Sequence, residues 1–229
     1  MFGARNLGRA VIELLRQEGW SVTGVARTEA TLDGVTALGA LAVRADVTDQ
    51  TSVTQVLEQA AAAHGPIDLV VNAASAYGGD RSGPFGGGPI AEAPPEAFDS
   101  WAAAPARSAF SFLSAGGRFL LEQGTAATLV QVTGGSSRRA AGGRGLWAAG
   151  AFGVRAITQA AALELREQGI HVALLIVDAG IQPVDSAESS AALADPRELA
   201  AAVLFLADQG ARGATHELQV TPLAERWVP

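Results

Sequence analysis

The stretch Ile67-Asp68-Leu69-Val70-Val71-Asn72-Ala73-Ala74-Ser75 decides how the rest of the chain is read. Its apolar, β-branched run shows no polar alternation, which suits a strand covered on both faces, as strands of parallel sheets are. The run Val172-Ala173-Leu174-Leu175-Ile176-Val177 has the same character. Outward from these, short β-rich runs alternate with longer Ala/Leu/Glu/Arg segments of helical period, the mark of βαβ units. Strands are expected near Trp20–Ala26, Leu41–Arg44, Ile67–Asn72, Thr128–Thr133, Ile170–Val177 and Glu217–Thr221. Helices are expected at about Leu7–Glu18, Asp49–Ala63, Trp101–Gln123, Leu146–Gln168 and Pro196–Gln209. Asp195-Pro196 followed by Glu198 starts the last of these with a capping residue and a proline at the first helical position. The Gly- and Pro-rich stretch Gly78–Pro95 predicts a long loop, a natural lid or pocket wall. The fold class that follows is α/β: one doubly wound domain whose mostly parallel sheet is flanked by helices.

Length and composition agree with a single domain. The chain has 229 residues, 48% of them hydrophobic, enough to bury a substantial core. No long charge-free apolar run suggests a membrane span, and the opening MFGARNLGRAVI lacks the form of a secretory signal. A net charge of −7 argues against general nucleic-acid binding, which rests on clustered positive charge. With no cysteine there is no disulfide and no thiolate metal site, which fits a cytoplasmic protein. His64, His171 and His216 lie far apart, at a helix end and at strand starts, so structural roles are expected and no metal site. The chain contains no lysine, so all 16 basic residues are arginines, and it contains a single tyrosine, Tyr77.

Gly3-Ala4-Arg5-Asn6-Leu7-Gly8 opens the first helix, and such a turn lets backbone N–H groups approach a pyrophosphate at the positive helix end. It carries two glycines at a shorter spacing than the usual three. Only Met1 and Phe2 precede it, so the strand that should feed it is nearly absent. A gap in the sheet is expected there, with a natural chain that begins further upstream or a sequence that has been trimmed.

Further segments follow in order: Arg27-Thr28-Glu29-Ala30-Thr31-Leu32 after a strand, Ala45-Asp46-Val47-Thr48-Asp49 after the next, then Val70–Ser75, and late in the chain Ala200–Ala207. By this ordered set the chain resembles the short-chain dehydrogenase/reductase family over nearly its whole length, and the fold expected is Rossmann-type. The resemblance implies that Asp46 and Val47 contact the adenine and that Asn72, Ala73 and Ala74 line the cofactor near its ribose. In structural terms, Val70–Ser75 is also simply a strand end, and Thr48 or Asp49 an N-cap of the next helix; both kinds of role can hold together. Proteins that bind NAD place a carboxylate about 20 residues after the glycine turn. Here Ala26 and Arg27 stand at that place and Arg5 within the turn, and a guanidinium grips a 2′-phosphate that a carboxylate would repel. NADP(H) is therefore expected over NAD(H).

The family's chemistry rests on a Tyr-x-x-x-Lys helix, a serine after the preceding strand and an asparagine in an earlier helix. Laid on this chain, the tyrosine position falls on Trp147, the lysine position on Ala151, the serine position on Gly134 and the asparagine position near Pro105. No shift of alignment supplies a lysine. Indole is a hydrogen-bond donor but not an acid at neutral pH, and general acid–base help contributes roughly 10²–10⁴-fold in rate. Candidate substitutes are Tyr77, as proton donor, and Ser136 or Ser137, displaced by two or three residues from the serine position. Arg138, Arg139 and Arg144 form a basic cluster that can either hold an anionic ligand or stay solvated at the surface.

Three functions remain open at this point. One is a divergent oxidoreductase acting on a small molecule, where an activated double bond or an iminium would need less proton help than a ketone. Another is a non-catalytic NADP(H) sensor or scaffold, and a third uses the site for a different small molecule. The resemblance also implies a homodimer or homotetramer through the two long helices rich in Ala, Gly and Ser, and the short polar stretch from Asp178 to Asp195 implies an open pocket or one covered by a partner chain.

Overall fold

In a computed structural model, which describes residues 1–75, 83–186 and 190–225, the apolar runs form strands whose successive residues enter opposite halves of the core. Val70 and Leu129 pack with Val53, Leu57 and Phe112, while their neighbours Val71 and Val130 pack with Val11, Ile12 and Leu199. The described elements are α1 (Leu7–Gln17), β1 (Thr23–Ala26), α2 (Glu29–Ala37), β2 (Leu41–Arg44), α3 (Gln50–His64), β3 (Leu69–Asn72), α4 (Glu96–Phe98), α5 (Ala104–Gln123), β4 (Ala127–Gly134), α6 (Gly145–Leu165), β5 (Ile170–Val177), α7 (Pro196–Ala207) and β6 (Glu217–Val220). Strands β3, β4, β5 and β6 pair in that order and β1 pairs with β2, all parallel, with Val70 beside Leu129 and Val130 beside Ala173. Helices α1 and α7 pack together on one face, and α3, α5 and α6 on the other. This is the α/β Rossmann-type architecture.

Among the described residues, Phe2 bridges the two strand groups, pairing with Val25 on one side and Asn72 on the other. Its N–H donates to the Val71 carbonyl at 2.8 Å, its carbonyl accepts from Ala73 at 3.0 Å, and Val25 N–H donates to the Met1 carbonyl at 2.8 Å. Below this one-residue seam, β1 and β3 stand apart around a cleft of about 450 Å³ walled by Leu15, Val22, Val56, Leu57 and Leu69. The Met1 amine donates to the Thr23 carbonyl at 2.8 Å, and burial pushes its pKa down to about 5.

Some elements follow the sequence reading and others differ from it for identifiable reasons. Helix α2 forms where none was expected; its Thr, Val and Gly residues give little helical preference, and burial of Leu32 and Val35 supplies what propensity lacks. Asp49, not Thr48, caps α3, accepting from the N–H groups of Thr51 at 3.0 Å and Ser52 at 3.3 Å. Asp195 caps α7 by accepting from Arg197 N–H at 2.8 Å, with Pro196 in the first turn, a cap worth about 1 kcal/mol. The helix expected from Trp101 begins earlier, at Glu96, and passes through a π-turn at Asp99–Ala103 before α5. Pro105 has no N–H to offer the Trp101 carbonyl one turn back, so the wider turn absorbs the mismatch. The carbonyls of Trp101 and Ala102 then lie against Gly150 of α6, where a Cβ would come within 2.6 Å of the first.

Candidate functional site

A cavity of about 1070 Å³ opens at the carboxyl ends of the strands, at the upper end of the range for small-molecule and cofactor sites. Where the chain turns from the Phe2 seam into α1, Gly3 has φ +80°, and a Cβ on it would meet the Ala74 backbone nitrogen at 2.5 Å. A Cβ on Gly8 would meet the Gly3 carbonyl at 2.1 Å. The turn is thus backbone packed on backbone, and a larger residue at either position would fill the cradle that a pyrophosphate approaches. Asn6 supplies what the short motif lacks. It alone among described non-glycine residues has positive φ, at 44°, a conformation glycine favours, and its Oδ1 accepts from Val184 N–H at 2.8 Å. No side chain caps α1 and no acid stands in its first turn, so its positive end is left for a ligand. Gly3, Arg5, Asn6 and Leu7 line the cavity, while Gly8 shapes the turn from behind.

The next wall comes from the ends of β1 and β2. Asp46 Oδ1 accepts from the N–H of Thr48 at 2.9 Å and from its hydroxyl at 2.8 Å, and Oδ2 lies 3.5 Å from the Arg27 guanidinium. Partial burial pushes the Asp46 carboxyl up, but the Thr48 hydrogen bonds and the Arg27 charge together outweigh it and hold the group below the usual range. Arg27 is largely exposed and Asp46 partly buried, with Val47 buried between the strand end and the core. All three line the cavity.

Asn72 does not reach the cavity, contrary to expectation. It is fully buried, its Nδ2 donating to Gln131 Oε1 at 2.9 Å and its Oδ1 accepting from Ala74 N–H at 3.1 Å. It shapes the turn that presents Ala73, Ala74 and Ser75 to the cavity.

At the far end, the four positions assigned to family chemistry come together: Pro105, Gly134, Trp147 and Ala151 all line the same cavity. Trp147 stands in an aromatic group with ring centroids 5.5 Å from Phe85 and 6.2 Å from Trp101, and Phe85 lies 4.9 Å from Trp101. Gly86, at φ +79°, lets the loop press against α6, since a Cβ there would stand 3.0 Å from Arg144 Cα and 3.2 Å from Trp147 Cβ. A Cβ on Gly134 would lie 3.9 Å from the Trp147 ring, so the indole abuts the strand end.

The substitutes read from sequence fare differently. Tyr77 lies outside the described residues. Ser136 sits on the 3₁₀ turn Gly135–Ser137 and Ser137 is buried, and neither lines the cavity. That turn is drawn toward β5, where Gly135 packs so closely on the Asp178 carboxylate that a Cβ would overlap it. Two arginines of the basic cluster have partners within the protein. Arg139 donates to buried Asp178 at 2.8 Å, a bond that raises its pKa further, and Arg144 lies 5.4 Å over the Phe85 ring. Arg138, Arg139 and Arg144 are absent from the cavity lining, so an anionic ligand held there by them is not what the geometry offers. His171 and His216 stack edge-to-face at 5.9 Å and bond the carbonyls of Thr215 and Val172.

Sequence reasoning missed Ser108. Its hydroxyl is buried without a hydrogen-bond partner and lines the cavity, one helical turn after Pro105; that i, i+3 spacing was the available signal. Thr133 and Gln131, on β4, line it too.

Among the described residues no group of three His, Cys, Asp or Glu is placed to hold a metal, and no helix is long and apolar enough to cross a membrane. The glycine cradle, the uncapped α1 and the orphaned Ser108 hydroxyl fit a dinucleotide. Residues 3–220 match the family model described as enoyl-(acyl carrier protein) reductase. No curated protein matches the chain significantly. Among solved structures, the closed form of a serine dehydrogenase complexed with NADP+ superposes with a TM-score of 0.84 at 16% identity, over 100% of this chain and 96% of that one. An alcohol dehydrogenase from Thermococcus sibiricus complexed with 5-hydroxy-NADP gives 0.81 at 19%, over 100% and 97%. A short-chain dehydrogenase from Rhodopseudomonas palustris gives 0.72 at 24%, over 94% and 93%. At these identities the likeness is one of fold.

Proposed function

The chain belongs to the short-chain dehydrogenase/reductase family, through its enoyl-(acyl carrier protein) reductase group, and on that premise we propose that it is a divergent oxidoreductase that binds NADP(H) in preference to NAD(H) and performs a weak or non-standard hydride transfer on a small molecule. The observation that carries this reading is the meeting of Pro105, Gly134, Trp147 and Ala151 in one cavity with the glycine turn, in a chain without lysine. Gly3, Arg5, Asn6 and Leu7 would hold the pyrophosphate, Asp46 and Val47 the adenine, and Ala73 and Ala74 the ribose side. The nicotinamide supplies hydride when bound. The preference for the phosphorylated cofactor rests on Arg27, which Asp46 holds at the mouth of the cavity. Arg5 lines the same end. No described residue at the reacting positions replaces the tyrosine–lysine pair, so ketone reduction by the family's proton-transfer route should be slow.

The same observation favours one other reading, a sensor or scaffold that binds NADP(H) without turnover. Self-association as a dimer or tetramer would use α5 and α6, which expose Phe110, Leu121, Phe152 and Leu163. Following NADPH absorbance with a panel of carbonyl, enone and iminium acceptors separates the readings. Consumption with any acceptor supports the oxidoreductase, whereas tight binding with no turnover supports the sensor.

A further inference from the structure

The cleft below the Phe2 seam lies between two strands that face each other without pairing. Phe2 bridges Val25 of β1 and Asn72 of β3, which sets the strands two strand spacings, roughly 10 Å, apart. β1 and β3 belong to separate strand groups. Leu41 N–H donates to the Val22 carbonyl, and Thr128 N–H to the Asp68 carbonyl. A parallel ladder bonds alternate residues of a strand to each side, so Thr23, Leu69 and Val71 turn their backbone groups away from β2 and β4 and toward the cleft. The carbonyls of Thr23 and Val71 accept from Met1 and Phe2. The Leu69 carbonyl and the N–H groups of Thr23, Leu69 and Val71 have no such partner among the described residues.

The lining defines what fits. In register with the Phe2 bridges, the cleft runs alongside residues 21–23 and 68–70, a length of about three residues at roughly 3.3 Å each. Leu15 of α1 covers one face of its 450 Å³, and Val56 and Leu57 of α3 cover the other. An extended segment there is enclosed on both faces and apolar throughout. At the amino ends of β1 and β3 the lining turns acidic. Glu18 and Asp68 are exposed there, neither pairs with a cation among the described residues, and no arginine lines the cleft. We propose that the cleft is a strand-receiving slot for a short apolar peptide of another chain, extended and parallel to β1 and β3, with a basic residue at its amino end beside Glu18 and Asp68 and its carboxyl end toward Met1. The last residue of that peptide donates to the Leu69 carbonyl and accepts from Val71 N–H. The residue before it accepts from Thr23 N–H, and the one before that from Leu69 N–H. A reversed peptide would carry its base away from the acids. The slot opens at the opposite ends of the strands from the nucleotide cavity, so it is a partner site distinct from it.

The test uses the full chain and the tetrapeptide Arg-Val-Ala-Val, amidated at its carboxyl end. At about tenfold above its dissociation constant the peptide should raise Tm by about 3 °C or more. Amide exchange at Thr23, Leu69 and Val71 should slow by about tenfold. Glu-Val-Ala-Val should bind about threefold more weakly, and the order of the two should reverse in the surface variant Glu18→Lys with Asp68→Lys. Arg-Val-Pro-Val, which lacks a ladder N–H, should not bind measurably. No rise in Tm with millimolar Arg-Val-Ala-Val, or an equal rise with the proline peptide, would overturn the proposal. A rise seen only when Arg-Val-Ala-Val is fused ahead of Met1 would give the slot to a covalently joined strand and overturn its supply by another chain.

Discussion

The two ends of the one cavity are built to different standards. At the nucleotide end, each departure from the usual pattern is compensated locally: Asn6 takes the backbone conformation a glycine would, and Asn72 with Gln131 fixes the turn that meets Gly3. At the other end, the same kind of position is held by packing. Trp147 joins an aromatic cluster, Gly134 abuts its ring, and Pro105 is absorbed by a π-turn whose carbonyls rest on Gly150. The difference teaches that two ends of one cavity can be held by different means, backbone conformation and hydrogen bonds at one and aromatic packing at the other.

The largest expected effect comes from rebuilding the weaker end. The combined variant Trp147→Tyr, Ala151→Lys and Gly134→Ser restores a tyrosine, a lysine and a serine at positions that already line the cavity. Ketone reduction by NADPH should rise by roughly 10²–10⁴-fold, read as kcat/KM; no gain would mean that the two ends do not face a common substrate. Next is a break in the stronger end. Gly3→Val places a Cβ at φ +80°, within 2.5 Å of the Ala74 backbone. Strain and lost cradle together should cost about 2–4 kcal/mol, seen as a lower Tm and loss of nucleotide binding by calorimetry. Smaller is Arg27→Ala, which should leave NADH affinity unchanged and weaken NADPH by about tenfold, near 1.4 kcal/mol.

The smallest effect sharpens the comparison from the side of stability. Arg155 of α6 donates to both oxygens of Glu217 on β6 at 2.8 Å, with Gln159 donating at 2.7 Å, which ties the helix carrying Trp147 to the sheet. Burial pushes the Glu217 carboxyl up, and the bonds from Arg155 and Gln159 more than offset this and lower it. A carboxyl lowered on folding contributes stability above its unfolded pKa of about 4.5 that is lost as pH falls through the folded value. Glu217→Gln should therefore flatten part of the acid slope of Tm below that pH while NADPH affinity at neutral pH stays the same. An unchanged slope would remove the pair from the account.

Much of the fold is legible in the sequence. The unalternating runs at Val70 and Val172 required strands covered on both faces, and their order with the intervening helices gave the parallel sheet. Arg27 could be named because it follows a strand at the usual distance after the glycine turn, whereas Asp46 and the four reacting positions could be named only through the resemblance to the family. What was hidden depends on distant partners. Nothing near Arg139 in sequence points to Asp178, 39 residues on, so its ion pair could not be told from the two alternatives of an anion site or solvated charge. Asn72 read as a cavity residue because its distant partner Gln131 is invisible to spacing. Helix α2 depends on burial rather than propensity, and the π-turn depends on a proline whose effect falls one turn earlier in the chain.

The most direct test of the central claim, a working nucleotide end joined to an altered reacting end, is a calorimetric titration of the full-length protein with NADPH and NADH. The account requires saturable one-site binding of NADPH, tighter than NADH, with the preference lost in Arg27→Ala. Failure of both nucleotides to bind would contradict it and leave the cavity to another small molecule.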